Sequence, residues 1–134
     1  MAAVAKKVLI VEDNELNLRL FRDLLEAHGA EVRTVRDARE ALDAIRVFLP
    51  HLVIMDIQLP HISGVELIRM MKADSLLEDI PVMAVTAYAG KGDESRVREA
   101  GADSYVSKPI SVSRFVLAVE DLAGPLGGGF VRAG

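Results

Sequence analysis

Four ionisable side chains stand just past short hydrophobic runs: Glu12 and Asp13 follow Val8-Leu9-Ile10-Val11, Asp56 ends His51-Leu52-Val53-Ile54-Met55-Asp56, and Lys108 follows Tyr105-Val106-Ser107. Apolar runs this short, bounded by turn residues, read as buried strands. The charged groups then belong at the rim of a sheet, not inside it. Three carboxylates within a few ångströms repel one another unless a cation sits among them. Oxygen-only ligands with room for water favour Mg²⁺ over zinc. A carboxylate beside such a cation is a workable nucleophile toward phosphorus, because the metal neutralises the group being transferred. The chemistry within reach is metal-assisted phosphoryl acceptance.

Each residue alone also has a plainer reading. Glu12 and Asp13 suit a helix N-terminus, where Asp caps well and negative charge complements the dipole. Asp56 reads as a turn residue, since Pro60 and Gly64 mark an irregular loop behind it. Lys108 reads as a solvated lysine, but Pro109 locks its own φ and restricts the residue before it. That turn fixes the ammonium at the rim, where it can pair with a carboxylate and a phosphoryl oxygen. A cis bond before Pro109 stays open at this level. Thr86 closes a strand, where β-branched residues are common; on the same rim its hydroxyl could bond a phosphate. Tyr105 reads equally as an ordinary strand aromatic. His28, His51 and His61 show no metal or catalytic spacing and read as surface or satisfied side chains.

The elements that must position these groups alternate along the chain. Strands are expected at 7–11, 31–35, 52–55, 81–85 and 104–106. Leu16, Leu20, Leu24 and Ala27, widened by Phe21 and Leu25, form a helical stripe, with Gly29 at the C-terminal cap. Asp37 with Glu40, and Ser63 with Glu66, have the spacing of capping boxes. Val112, Phe115, Val116, Val119 and Leu122 mark the core face of the last helix. The fourth helix, 90–101, offers little beyond Val97 and Ala100 and contains Gly92, so it should be the most weakly held. An alternating βα pattern predicts a doubly wound α/β fold: a five-stranded parallel sheet in flavodoxin-like order 2-1-3-4-5, with right-handed crossovers. Ligands bind such sheets at the switch point beyond the strand ends, here between strands one and three. Glu12, Asp13 and Asp56 fall there.

A length of 134 residues suits one domain with its own core. The expected organisation is a short N-terminal extension over 1–6, a globular domain over 7–122 and a glycine-rich flexible tail over 123–134. A composition 51% hydrophobic and 27% charged is that of a folded, soluble protein. The net charge of −4, without a basic block, argues against nucleic-acid binding. The absence of cysteine excludes disulfides and thiolate metal sites and fits a reducing compartment. No apolar stretch reaches the roughly 18 residues of a membrane span, and the first residues lack the core of a signal peptide. A cytoplasmic protein without membrane attachment is expected.

Together these residues resemble the receiver domain of bacterial two-component response regulators (the CheY-like superfamily). The resemblance rests on Val8-Leu9-Ile10-Val11-Glu12-Asp13-Asn14, Met55-Asp56-Ile57-Gln58-Leu59-Pro60 with Gly64, Val85-Thr86-Ala87 and Ser107-Lys108-Pro109, in that order. It covers about residues 7–122. The stretch from Ala84 to Glu94, with Ser107 to Val112, is similar to the DivK type of single-domain cell-cycle regulators. The resemblance implies that Asp56 accepts a phosphoryl group from a phosphohistidine. It implies Mg²⁺, or Mn²⁺ in its place, on Asp13, Asp56 and the backbone carbonyl of Gln58, with Glu12 acting through water. Phosphoryl oxygens would be bound by Lys108, Thr86 and the amide of Ala87, and Thr86 with Tyr105 would form the switch pair. The implied partners are a histidine kinase or histidine phosphotransferase and a downstream protein reading the face of helix four, strand five and helix five. The implied state is a monomer or a phosphorylation-dependent dimer. No output module is expected after the fifth helix.

An enzyme of the haloacid-dehalogenase type also uses an aspartate nucleophile and Mg²⁺ at a strand end, but needs an acid two residues later. Gln58 stands there, so a protein that accepts phosphate without catalytic turnover is expected, not an enzyme. Flavin binding fails on the acidic first loop, which repels phosphate unless a cation intervenes. A receiver-like binding module without phosphorylation is disfavoured by the intact acids, threonine and lysine.

Overall fold

The β1 strand, Lys7–Val11, is followed by α1, Glu15–Ala27, and β2, Glu31–Val35; then come α2, Ala41–Phe48, and β3, Leu52–Asp56. The α3 helix spans Gly64–Lys72, β4 Val82–Thr86, α4 Asp93–Ala100, β5 Ser104–Ser107 and α5 Val112–Ala123. The computed structural model describes residues 5–87, 92–108 and 111–126. The strands form one parallel sheet in the order β2-β1-β3-β4-β5, as the alternating pattern predicts. Among the described residues no helix is long and apolar enough to cross a membrane.

The order matters because β1 lies between β2 and β3, with Val11 beside Val35 on one side and Met55 on the other. Strands β1, β3 and β4 are buried almost throughout, as expected where helices cover both faces. Side chains alternate between two cores. Leu9, Val11, Val53, Met55, Val82 and Ala84 pack with α2, α3 and α4 residues such as Ile45, Ile68 and Val97. Val8, Ile10, Ile54, Met83 and Val85 pack with Phe21 and Leu25 of α1 and Phe115 and Val119 of α5. The Phe21 and Phe115 rings stack at 4.7 Å and lock α1 to α5.

Three expected local features take a different form. Of the expected stripe, α1 buries Phe21 and Leu25 and partly buries Leu24, and Leu18 joins them. Leu16 is 79% exposed and Leu20 50%. The helix carries apolar residues on two faces, and the Phe21 stack selects one. Asp37 does cap a helical turn, but through the Arg39 amide, and it opens a 3₁₀ turn at Ala38–Glu40 ahead of α2. In α5, Val112 is 51% exposed and Ala123 completes the buried row. Gly90, expected to begin the fourth helix, lies outside the described residues. Gly92 stands at that helix's N-cap in the left-handed region. Only Val97 and Ala100 of α4 are buried, so the expected scarcity of anchoring holds.

The expected cap forms at α3, whereas α1 is capped by Asn14, not by the preceding acids. Asn14 Oδ1 accepts from the Asn17 amide and Ser63 Oγ from the Glu66 amide. Gly29, at φ 95°, closes α1: its own amide reaches the Glu26 carbonyl and the Ala30 amide the Leu25 carbonyl. This is a Schellman motif, which needs a residue free to adopt the left-handed conformation.

Candidate functional site

Parallel pairing brings three strand ends to one rim. Asp56 is the last residue of β3, in register with Val85, and Glu12 follows β1 directly. Glu12, Asp13 and Asp56 each present a carboxylate oxygen within 4.8 Å of the others. The setting is not a solvated acidic patch: Glu12 is 1% exposed and Asp56 5%. Lys108, one residue past β5, reaches across with Nζ 2.7 Å from Glu12 Oε1 and 3.6 Å from Asp56 Oδ2. Its backbone amide donates to the Thr86 carbonyl at 2.7 Å, tying the chain after β5 to the end of β4.

The loop after β3 is shaped around Asp56. The Gln58 amide donates to Asp56 Oδ1 at 2.9 Å, and the Gly64 amide to the Ile57 carbonyl at 3.1 Å. A Cβ at Gly64 would lie 2.3 Å from the Asp56 carbonyl oxygen and 2.8 Å from Ile57 Cα. Only glycine lets α3 begin that close to the aspartate's backbone. The Gln58 side chain is exposed. On the other side of Glu12, its Oε2 accepts from the Asn14 amide at 3.2 Å, so the chain entering α1 is anchored to the same carboxylate.

Charge crowding leaves its mark on Asp56. Burial, the neighbouring Glu12 carboxylate and the electrostatic repulsion between them raise its pKa to about 7; the Gln58 amide and Lys108 oppose this. Two acids and one nearby ammonium leave negative charge uncompensated in a water-poor setting. A divalent cation supported by oxygen ligands is the group that would relieve it. The donor set therefore fits Mg²⁺, with Asp13 and Asp56 as the carboxylates nearest solvent and Lys108 already committed to Glu12.

Thr86 ends β4 with 1% exposure, and the exposed Ala87 follows it. Tyr105 pairs with Ala84 in the β4–β5 register, so its ring shares a sheet face with Thr86, one step diagonally away. It packs against the α3–α4 side of the core. Its hydroxyl is buried without a hydrogen-bond partner among the described residues. Burial, then Asp93 and Glu94, push the phenol up from its ordinary value. A cleft of about 420 Å³ opens beside Gln58 and Thr86, between Ser63 and Arg69 of the α3 side and Asp93 and Arg96 of α4. Such a cleft gives solvent and ligands access to the rim.

The structure thus gathers Glu12, Asp13, Asp56, Gln58, Thr86, Ala87 and Lys108 at one place, with Tyr105 one rung below. Pro109, expected to fix the turn after Lys108, lies outside the described residues. Two histidines stay apart from the site: His51 Nδ1 accepts from the Lys7 amide at 2.9 Å, and His28 Nδ1 lies 2.9 Å from the Leu24 carbonyl. Two features escaped sequence reasoning. Glu12 is the strongest partner of Lys108, and Gly64 sets the approach of α3. The only sequence signal for the second was a glycine eight residues after Asp56.

Comparison with known proteins agrees with this geometry. The family model of the response regulator receiver domain matches residues 8–120. The polar-differentiation response regulator DivK of Brucella anthropi is 54% identical over 119 residues, covering 89% of this chain and 97% of the relative. DivK of Brucella ovis is 53% identical over 121 residues, covering 90% and 98%. Among solved structures, a putative response regulator from Chloroflexus aurantiacus superposes with a TM-score of 0.85 at 29% identity, covering 90% of this chain and 98% of that one. The receiver domain of a sensor histidine kinase from Pseudomonas aeruginosa, which holds a magnesium ion in its active site cleft, gives 0.83 at 26% identity, covering 90% and 99%.

Proposed function

The chain belongs to the response regulator receiver domain family, with DivK among its relatives, and on that premise we propose that it is a phosphoryl-accepting switch whose acceptor is Asp56. The observation that carries this reading is the placement of Asp56 at 5% exposure beside Glu12 and Asp13, with the Lys108 ammonium 3.6 Å away. Asp13, Asp56 and the Gln58 backbone carbonyl would hold Mg²⁺, or Mn²⁺ in its place, with Glu12 acting through water. The bound cation would shield the carboxylates and the incoming phosphoryl oxygens from one another.

The remaining work falls to the protein. Asp56 must be ionised to attack, and a neighbouring cation favours its charged form. One carboxylate oxygen forms a bond to phosphorus as the bond from phosphorus to the donor's imidazole nitrogen breaks. The electron pair leaves with that nitrogen, which is then protonated from water. Lys108, held at the rim by Glu12, supplies a donor to a phosphoryl oxygen. The Thr86 hydroxyl and the Ala87 amide would bind the others.

Reversal by water is slow in this reading, because Gln58 offers an amide where a base would activate water. The protein is accordingly an acceptor, not a turnover enzyme, and a haloacid-dehalogenase-type phosphatase is disfavoured for the same reason. Phosphate on Asp56 draws Thr86 toward it, and Tyr105 repacks into the space, altering the face of α4, β5 and α5. The sparse anchoring of α4 and the unpartnered Tyr105 hydroxyl support a movable face. A histidine kinase or histidine phosphotransferase would supply the phosphate in the cytoplasm. A protein partner would read it in DivK-like developmental signalling, by a monomer or by a dimer formed on phosphorylation.

The test is intact-mass spectrometry after incubation with acetyl phosphate. One phosphoryl addition is expected with Mg²⁺ and none with a chelator. Equal labelling in both would refute the proposed dependence on the cation.

A further inference from the structure

The end of the sheet opposite the rim carries a residue in a conformation that its type disfavours. Leu49, just past α2, sits in the left-handed region at φ 49° and ψ 64°, where its amide reaches the Ile45 carbonyl. Glycine is the usual occupant of such a helix end, because a Cβ is strained there. The strained side chain does not pack inside. Leu49 is 46% exposed, and Val47 is 80% exposed. Backbone strain kept for a side chain that adds little to the core is a mark of use at the surface.

Phe48, between the two, is buried and carries two cations on its ring. The Arg33 guanidinium carbon, from β2, lies 4.9 Å from the ring centroid, and Lys7 Nζ, from β1, lies 5.3 Å away. Lys7 also donates to the Phe48 carbonyl at 3.3 Å. Among the described residues neither cation is paired with a carboxylate. Nearby arginines differ: Arg46 pairs with Asp43 and Asp74, and Arg36 with Glu15. The β2 strand is the outer strand of the sheet, so Arg33 is exposed. Stacking on an aromatic face fixes the guanidinium plane and leaves its edge donors for a carboxylate, which they can bind in pairs. The result is a preorganised cation beside two exposed aliphatic side chains, on a protein of net charge −4.

We propose that Arg33, Val47 and Leu49 form a second docking surface, at the base of the sheet, for an acidic, leucine-rich segment of a partner protein. A carboxylate of the segment meets the Arg33 edge, and its aliphatic side chains cover Val47 and Leu49. Lys7 opens β1 and Glu12 follows its end, which separates the two by about 16 Å of strand. A partner seated here leaves the phosphoryl site open. A second copy of the chain is a poor occupant, because a two-fold pair would set the cations of one patch against those of the other.

The test titrates the full chain, labelled at methyl and arginine side-chain groups for NMR, with a short amidated peptide of Leu-Leu-Glu repeats and with its Leu-Leu-Lys counterpart. Expected with the acidic peptide alone are saturable shifts of the Val47 and Leu49 methyls and of the Arg33 Nε–H, weakened by salt and unchanged in Asp56→Asn. Arg33→Gln should weaken binding about tenfold. Leu49→Gly should do the same, although it relieves the left-handed strain and should melt no lower than the parent, so its lost binding is not lost folding. No shift with either peptide, equal binding of both, or full binding by both variants would overturn the proposal. So would shifts that arise on concentrating the protein alone with faster sedimentation, or only with phosphatidylserine vesicles, because the occupant would then be a second copy or a membrane.

Discussion

Replacing Asp56 by Asn should stabilise the protein in the absence of divalent cations, and the gain should depend on pH. Asn keeps an oxygen to accept the Gln58 amide, 2.9 Å away in the parent, and removes only the charge. The aspartate's pKa rises from the ordinary 3.8 to about 7 in the folded protein, chiefly through burial and Glu12. Below pH 3.8 both folded and unfolded states hold the proton, so no penalty exists. As pH climbs from 3.8 to about 7 the unfolded chain ionises first, and folding stability is lost progressively; above 7 the loss is complete. At 1.36 kcal/mol per unit the shift would correspond to about 4 kcal/mol at most. Water at the rim screens part of that, leaving ~2 kcal/mol, or about 7 °C for a domain of this size. The assay is thermal and urea unfolding of both proteins in chelator, at pH 4 and pH 8. The variant should match the parent at pH 4 and exceed it at pH 8. Equal stability at pH 8, or a gain that is the same at both values, would refute the reasoning. Magnesium should then narrow the gap, stabilising the parent by about 1.4 kcal/mol at ten times its Kd while leaving the Asn variant nearly unchanged.

Other substitutions probe the supports of the site. Gly64→Ala places a methyl group against the Asp56 backbone, where the contact would be 2.3 Å. It should cost about 2 kcal/mol in urea unfolding and weaken magnesium binding measured by calorimetry; unchanged magnesium affinity would show that the close approach is only structural. Lys108→Met strands Glu12, which is 1% exposed, and should lower stability by about 3 kcal/mol in urea unfolding at pH 8. Leu25→Ala should cost ~3 kcal/mol, whereas Leu20→Ser on the exposed face should cost under about 0.5 kcal/mol. The reverse ranking would mean that α1 buries its other face.

Much of the fold is legible because β1, β3 and β4 are short apolar runs ended by a polar residue, and β2 mixes apolar and polar residues; β1 and β2 match their expected spans and the others differ by about one residue. The rim is legible for the same reason: a carboxylate cannot lie inside a run such as 52–55 and must fall at its end. The face of α1 was only partly legible: Phe21 and Leu25 lie in the expected stripe, but Leu16 and Leu20 compete with Leu18, and the ring of Phe115, some ninety residues on, decides between them. Nor was the preference of Lys108 for Glu12. It depends on how deeply each acid sits, and adjacent residues 12 and 13 look alike in sequence although one is buried and the other half-exposed. The 3₁₀ turn before α2 arises because Asp37 bonds the nearer Arg39 amide, a choice of one residue that spacing does not encode.

The central claim is that Asp56 carries the phosphoryl group, and borohydride trapping tests it most directly. The protein is phosphorylated with acetyl phosphate and Mg²⁺, reduced with borohydride to convert any aspartyl phosphate to homoserine, and digested for peptide mapping. Homoserine at position 56 and at no other aspartate is the predicted result. Homoserine at Asp13, or an unmodified Asp56 in protein that has gained a phosphoryl group, would contradict the account.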